Sequence, residues 1–407
     1  MSVMRIPLAS SGLRAEDIAI AIEVLHSGNL TMGKNVKNFE NQMADYLGVD
    51  NFVMVNSGSS ANLAIFEALL RPTKSSPLLE EGDGVLVPAI AWPTTIWPII
   101  QLGLHPVFVD VEPDTLAINL DKAQDLINLG RRNIKAIFPI HPLGYGIDPS
   151  KLDTFSKLNN LVQINDVCES LGSWYGDKHS GTSGLAGSFS FYFSHHITTM
   201  EGGGVATNNE EFADDLRSIR SHGWSRDRKD SATWSDHLTQ NDSKFLFVST
   251  GYNIRPMEIQ AAIGSSQIRD INGFISKRRN IAERVLESVK GTELSVIGDH
   301  TLIDLSNSKR HSWMLIPIKC KNIAQKNAVV RFLNELEIET RPVLTGNFLS
   351  QPAIERIDKH HENPNNFPVA NMITETCFLV GAHHDLTTEQ IDFLGQSIKS
   401  ASQLKYE

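Results

Sequence analysis

Cysteine is scarce. The 407 residues include three, Cys168, Cys320 and Cys377, far apart in the chain. No two have metal-ligand spacing, and an odd, sparse set suits reduced cytosolic thiols better than a disulfide framework. Long apolar runs are missing as well. None approaches the roughly 20 residues needed to cross a bilayer. The first residues lack a basic region followed by an apolar stretch, so no signal peptide is expected. There is no basic excess either. A net charge of −10 argues against general nucleic-acid binding, which needs a basic surface. Repeats, heptads and low-complexity tracts are also absent. The expectation is a soluble cytoplasmic protein without nucleic-acid or membrane partners.

What is present is ordinary for a globular chain: 41% apolar and 21% charged residues, enough for a large core. Short apolar runs alternate with amphipathic stretches over the first two-thirds. The strand candidates are Asn51–Val55, Gly84–Val87, His105–Asp110, Ala136–Pro139, Leu161–Asn165, Ser188–Phe193 and Gly204–Thr207. Helix-like stretches such as Ser59–Leu70 and Leu120–Leu129 lie between them. This alternation predicts an α/β fold with a mostly parallel sheet covered on both faces.

From about Ile268 the pattern changes. Ile268–Val289 is long and charge-rich and reads as a spacer helix. Shorter elements follow at Leu294–Gly298, Ser312–Ile318, Ile323–Leu336, Glu339–Pro342 and Thr388–Ala401. The expected division is a large cofactor-binding domain, residues 1–267, and a spacer helix with a small α+β domain, residues 268–407. Lys229–Ser243 is polar and reads as a surface loop or a nucleotide-contacting one.

Four segments carry chemistry. Asn56-Ser57-Gly58-Ser59-Ser60 follows a strand and opens a helix, where backbone N–H groups make an anion site and Gly58 allows close approach. The hydroxyls of Ser59, Ser60 and Ser190 add donors. Alone, this motif is as easily a serine N-cap. Asp166 and Glu169 stand at the carboxyl end of a strand, where ligands of open α/β sheets sit. Asp166 suits a ring nitrogen, or alternatively a helix cap. Trp92 offers a flat face for a cofactor ring, while Trp97 fits the core. Gly251-Tyr252-Asn253-Ile254-Arg255-Pro256 forms a defined loop before a helix. His141 follows a strand and suits either a substrate contact or a plain loop role. The pairs His360-His361 and His383-His384 lack ligand spacing, so no metal is assigned.

The last segment runs Ser190-Phe191-Tyr192-Phe193-Ser194-His195-His196-Ile197-Thr198-Thr199-Met200-Glu201-Gly202-Gly203. It resembles the lysine loop of the pyridoxal-phosphate enzymes that act on nucleotide-linked keto sugars, an aminotransferase and dehydratase family. Their pattern is Lys-Asn-Leu-Thr-Thr-x-Glu-Gly-Gly, and the lysine position falls on His195. The order Gly58-Ser59, Trp92, Asp166-x-x-Glu169, Ser190, Glu201-Gly202-Gly203 and Asn253 extends the resemblance over roughly residues 8–394.

The resemblance implies fold type I, the aspartate-aminotransferase fold, with a mostly parallel seven-stranded sheet. It implies a homodimer with shared active sites. It implies that Gly58, Ser59 and Ser190 hold the phosphate of pyridoxal or pyridoxamine phosphate, that Trp92 stacks on the ring and that Asp166 pairs with its nitrogen. Glu169 would project near the same cofactor, and Asn253 would reach the cofactor of the neighbouring subunit.

Glu169 and His195 depart from the aminotransferase pattern and resemble a dehydratase branch, on routes to 3,6-dideoxy sugars such as colitose. Imidazole cannot form the Schiff base that lysine forms, so the cofactor would be untethered. His195 would act as base, and L-glutamate would supply the amine. Another histidine-bearing branch uses an iron–sulfur cluster, which needs four cysteines; three are present, so no cluster is expected. The competing readings are an aminotransferase that manages without lysine and an inactive homologue that binds cofactor or nucleotide sugar. His196 is expected to support the loop.

Overall fold

The computed structural model describes residues 4–130, 132–235, 239, 242–298, 311–357 and 362–405. Its main sheet has seven strands. Their spatial order is Asn51–Val55, Gly203–Thr207, Ala186–Ser190, Val162–Asp166, Ile134–Ile137, Gly84–Pro88, His105–Val109. Gly203–Thr207 runs antiparallel to both neighbours, and the remaining pairings are parallel. The inner strand Gly84–Pro88 is a continuous apolar run because both faces of the sheet are covered. Gly84–Pro88 and Gly203–Thr207 are buried at every position.

Two helices show how the faces are sealed. Gly58–Leu70 buries Ala61, Ala64, Ile65, Phe66 and Leu69 with Val53, Val85 and Phe138. Lys34–Leu47 presents Val36, Phe39, Met43 and Leu47, at helical spacing, to Phe52, Phe189 and Phe191 on the other side. The turn before Gly203–Thr207 must graze the start of the first of these helices. A Cβ on Gly203 would stand 2.4 Å from the Gly58 nitrogen, so only glycine fits.

A second, antiparallel sheet runs Ser295–Val296, Leu315–Lys319, Cys377–Gly381, Thr340–Arg341. The helices Ile271–Val289, Ile323–Glu335 and Thr388–Ala401 cover it through Ile281, Val285, Val329, Leu333, Leu394 and Ile398. Ile6 pairs with Ile338 and is buried in the same cluster, so the start of the chain runs with this sheet.

Some elements differ from expectation. The strand expected over Ser188–Phe193 stops at Ser190, where the chain turns toward His195. The spacer helix opens with a 3-10 turn, Ile268–Asp270, before Ile271–Val289. The polar stretch Lys229–Ser243, part of which lies outside the described residues, contains a short helix, Ser231–Ser235. Asp230 starts that helix, accepting from Arg228 and from the Trp234 indole. Cys377–Gly381, in the middle of the second sheet, was not among the expected strands. Among the described residues, no helix is long and apolar enough to cross a membrane.

Candidate active site

The carboxyl ends of Val162–Asp166 and Ala186–Ser190 open onto a cavity of about 270 Å³. Gly58, Ser59, Trp92, Asp166, Glu169, Ser190 and His195 all line it, although 137 positions separate the first from the last (195 − 58). Parallel strands point their carboxyl ends the same way, so loops from distant parts of the chain converge there.

The floor is built around Gly58. Ser57 caps the helix, its hydroxyl accepting from the Ser60 N–H at 3.1 Å. A Cβ on Gly58 would lie 2.6 Å from Ser190 Cβ and 2.9 Å from Cys168 Sγ. The missing side chain therefore brings the helix N-terminus against Ser190, with Ser59 beside both. Ser60 is committed elsewhere: its hydroxyl donates to Asn56 Oδ1 at 2.7 Å.

Asp166 is buried and held by three donors. Oδ2 accepts from Thr95 Oγ1 at 2.7 Å and from Asn62 Nδ2 at 3.0 Å, and Oδ1 accepts from the Cys168 N–H at 3.1 Å. Neither Asn62 nor Thr95 was expected at the site from the sequence. Asn62 lies one helical turn beyond Gly58, which places it below the same cavity. Trp92 stands at the opening, 49% exposed, as the N-cap of the helix Pro93–Gln101. Trp97 packs in the core against Phe348.

Glu169 is a buried carboxylate. It accepts from the Leu143 N–H at 2.9 Å, a donor aimed by a left-handed Leu143 at φ 52°. Burial raises its pKa, against the pull of the Arg341 cation. Arg341, on Thr340–Arg341, also lines the cavity, and its Nε is buried without a hydrogen-bond partner among the described residues.

His195 is half-buried, and its Nδ1 lies out of solvent with no hydrogen-bond partner among the described residues. Burial, then the nearby Arg278 and Arg341 cations, pull the imidazole down to about 3. It is neutral at pH 7, so one ring nitrogen carries a free lone pair. No lysine is among the described residues that line the cavity. Lys229 pairs with Glu210 and Asn51, at the far end of the sheet, and Lys178 is exposed on a separate two-stranded ribbon.

The remaining expected residues fall outside the cavity lining. Asn253 is exposed, accepts from Arg255 Nε at 3.1 Å and does not line the cavity of its own chain. His196 is buried, with Nε2 3.2 Å from the Ser312 carbonyl. His141 is fully buried. Its Nδ1 accepts from the Ile147 N–H, and its Nε2 lies 3.2 Å from Asn165 Oδ1. Both nitrogens hold the loop, leaving none for substrate. His383 and His384 pack behind the site, and His360-His361 lie outside the described residues.

The model of the DegT/DnrJ/EryC1/StrS aminotransferase family matches residues 12–399. The chain belongs to this family. It is 36% identical to the GDP-4-keto-6-deoxy-D-mannose 3-dehydratase of Escherichia coli O55:H7, over 97% of this chain and 99% of that protein. A crystal structure of a variant GDP-4-keto-6-deoxymannose-3-dehydratase with bound GDP-perosamine superposes with a TM-score of 0.88. It is 34% identical and covers 97% of this chain and 100% of its own. A second structure of that enzyme, holding an adduct of pyridoxal phosphate and glutamate, has a TM-score of 0.86, with the same identity and coverage. The architecture is that of the fold type I aminotransferases.

Proposed function

We propose that this protein removes the C3 hydroxyl from a nucleotide-linked 4-keto-6-deoxyhexose, foremost GDP-4-keto-6-deoxy-D-mannose. Pyridoxamine phosphate would be its cofactor and L-glutamate the amino donor that regenerates it. The product is a 3-deoxy keto sugar, a precursor of 3,6-dideoxy sugars such as colitose. The observation that carries this reading is His195: a neutral imidazole in a cavity with no lysine among its described lining residues.

The residues fit the cofactor. Gly58 leaves a cradle that a methyl group would fill, and Ser59 and Ser190 border it, so these three would hold a phosphate. Asp166, oriented by Thr95 and Asn62, would pair with the ring nitrogen. The open face of Trp92 would stack on the ring, a contact worth about 1 kcal/mol beyond its area. Glu169 would meet the polar edge of the same ring. When bound, pyridoxamine phosphate supplies a primary amine for the sugar ketone and an electron-accepting ring, which together let the adjacent hydroxyl depart.

The protein's own share is proton transfer. His195 would take a proton from the C4′ carbon of the cofactor and deliver one to the departing hydroxyl. Positioned transfer of this kind is typically worth ~10²–10⁴-fold. Arg341 is the cation in the cavity without a carboxylate bonded to it among the described residues, and it suits a carboxylate of glutamate. Asn253 would serve the cofactor of a partner subunit in a homodimer.

One incubation tests the reading. Protein, pyridoxal phosphate, glutamate and a panel of nucleotide-linked 4-keto-6-deoxyhexoses are combined and followed by mass spectrometry. Loss of the C3 oxygen with release of ammonia is expected. Retention of the hydroxyl with gain of an amine would instead identify a lysine-free aminotransferase.

A further inference from the structure

A buried cation sits directly behind His195. Arg278, on Ile271–Val289, is 1% exposed, and no carboxylate is bonded to it among the described residues. Its Nη2 donates to the His195 carbonyl at 3.0 Å and its Nη1 to the Met314 carbonyl at 3.0 Å. Longer contacts of 3.4 Å reach the carbonyls of Trp313 and Ala382. The planar fork thus joins the His195 turn to the ends of two strands of the second sheet. Trp313 adopts a left-handed φ of 48° next to these contacts, a conformation a bulky residue rarely takes.

Removing a cation from water without a counter-ion is costly. Burial lowers the Arg278 pKa to about 10, which still leaves it charged at neutral pH. A lysine at this position would keep the charge but could not span the same carbonyls with one compact amine. The carbonyl it binds most closely on the large-sheet side belongs to His195 itself.

We propose that Arg278 is the positioning residue for His195. It fixes the main chain of that turn against the second sheet and places a permanent positive charge behind the imidazole, which adds to burial in disfavouring a proton on the ring. Other charges also face this ring. Arg341 adds a positive charge from Thr340–Arg341, and Asp166, Glu169 and Glu201 oppose it from the cavity wall. His196 neighbours it in the turn, and His383, His384 and Asp385 lie beyond Arg278.

The inference rests on His195 being the base, so the test separates the two. Full-length protein with labelled histidine is compared as wild type, Arg278→Lys, Arg278→Met and Arg279→Lys. Arg279 donates to the His311 carbonyl at 3.0 Å and provides a comparable tie that does not touch His195. The first readout is the His195 ring-nitrogen signal from about pH 8 down to the lowest pH at which the variants stay folded, assigned by its loss in His195→Asn. Wild type and Arg279→Lys should stay neutral throughout, whereas Arg278→Met should begin to take up a proton at a higher pH than wild type, short of the ordinary value because burial and Arg341 remain.

The second readout is amino transfer from glutamate to added pyridoxal phosphate. Arg278→Lys should keep the ring neutral yet slow this transfer roughly 10- to 100-fold, with KM for glutamate unchanged, as misplacement of a base predicts. The proposal is overturned if His195 in folded Arg278→Met takes up its proton no more readily than in wild type, or if Arg279→Lys slows transfer as much as Arg278→Lys. Arg278→Lys decides the matter should Arg278→Met not fold. If His195→Asn transfers the amine at the wild-type rate, the base assignment fails, while the ring titration still judges Arg278.

Discussion

The Thr95 hydroxyl donates to Asp166 Oδ2 at 2.7 Å, and Asn62 donates to the same oxygen at 3.0 Å. Both donors converge on one carboxylate oxygen, so the pair fixes the orientation of the group. A protonated ring nitrogen would then meet a preset acceptor. Asp166→Asn should weaken pyridoxal phosphate binding by about 1.5–3 kcal/mol, the worth of a charged hydrogen bond. Fluorescence titration measures it, and an unchanged Kd would remove Asp166 from the cofactor site.

Gly58→Ala brings a methyl group to within 2.6 Å of Ser190 Cβ and 2.9 Å of Cys168 Sγ. Neither neighbour is the free end of a long side chain. The variant should lose about 1–3 kcal/mol of stability through overpacking. Cofactor affinity should fall with it, because the phosphate cradle narrows. Equal melting temperature and equal affinity for pyridoxal phosphate would contradict this role.

Buried histidines give stability a definite pH dependence. Burial lowers the pKa of His141 to about 4 and of His179 to about 3. Both side chains are fully buried. Unfolded, each would titrate near ~6.5. Below that pH the unfolded chain takes up protons that the folded chain refuses. Stability is therefore full above about pH 6.5 and falls as pH drops toward about 4, by ~1.4 kcal/mol per pH unit for each such histidine. Urea midpoints at about pH 7.5 and 5.5 should show this fall, and His141→Asn should make the dependence shallower. A midpoint that rises on acidification would contradict the assignment.

Asn253 offers a test of shared sites. It is exposed and outside the cavity of its own chain. If it serves a partner's cofactor, His195→Asn and Asn253→Ala should each be inactive alone. Mixed and reassembled, they should regain activity, because one site of each hybrid dimer then receives both native residues. Inactivity of the confirmed hybrid would place Asn253 elsewhere.

The site was largely legible in the sequence where a motif constrains the backbone. Gly58, Asp166 and Ser190 are fixed by strand ends and a helix start, whose geometry is local. Asn62 and Thr95 follow Gly58 and Trp92 closely in the chain, yet their role depends on side-chain direction toward Asp166, 104 and 71 positions away. His141 follows a strand as a ligand-binding residue would, but folding turns it inward onto Ile147 and Asn165. Cys377–Gly381 is a five-residue apolar run, too short for periodicity to separate strand from helix end.

By itself the sequence determined the alternation of strand and helix, and it determined that the position of the family's lysine holds a histidine. Apolar periodicity and glycine placement act over a few residues, so they survive without a structure. The tertiary structure alone decided the state of that histidine. Its neutrality depends on burial and on Arg278, 83 positions further along a helix that reads as a charged spacer. Electrostatic effects follow distance in space, and sequence separation says nothing about that distance.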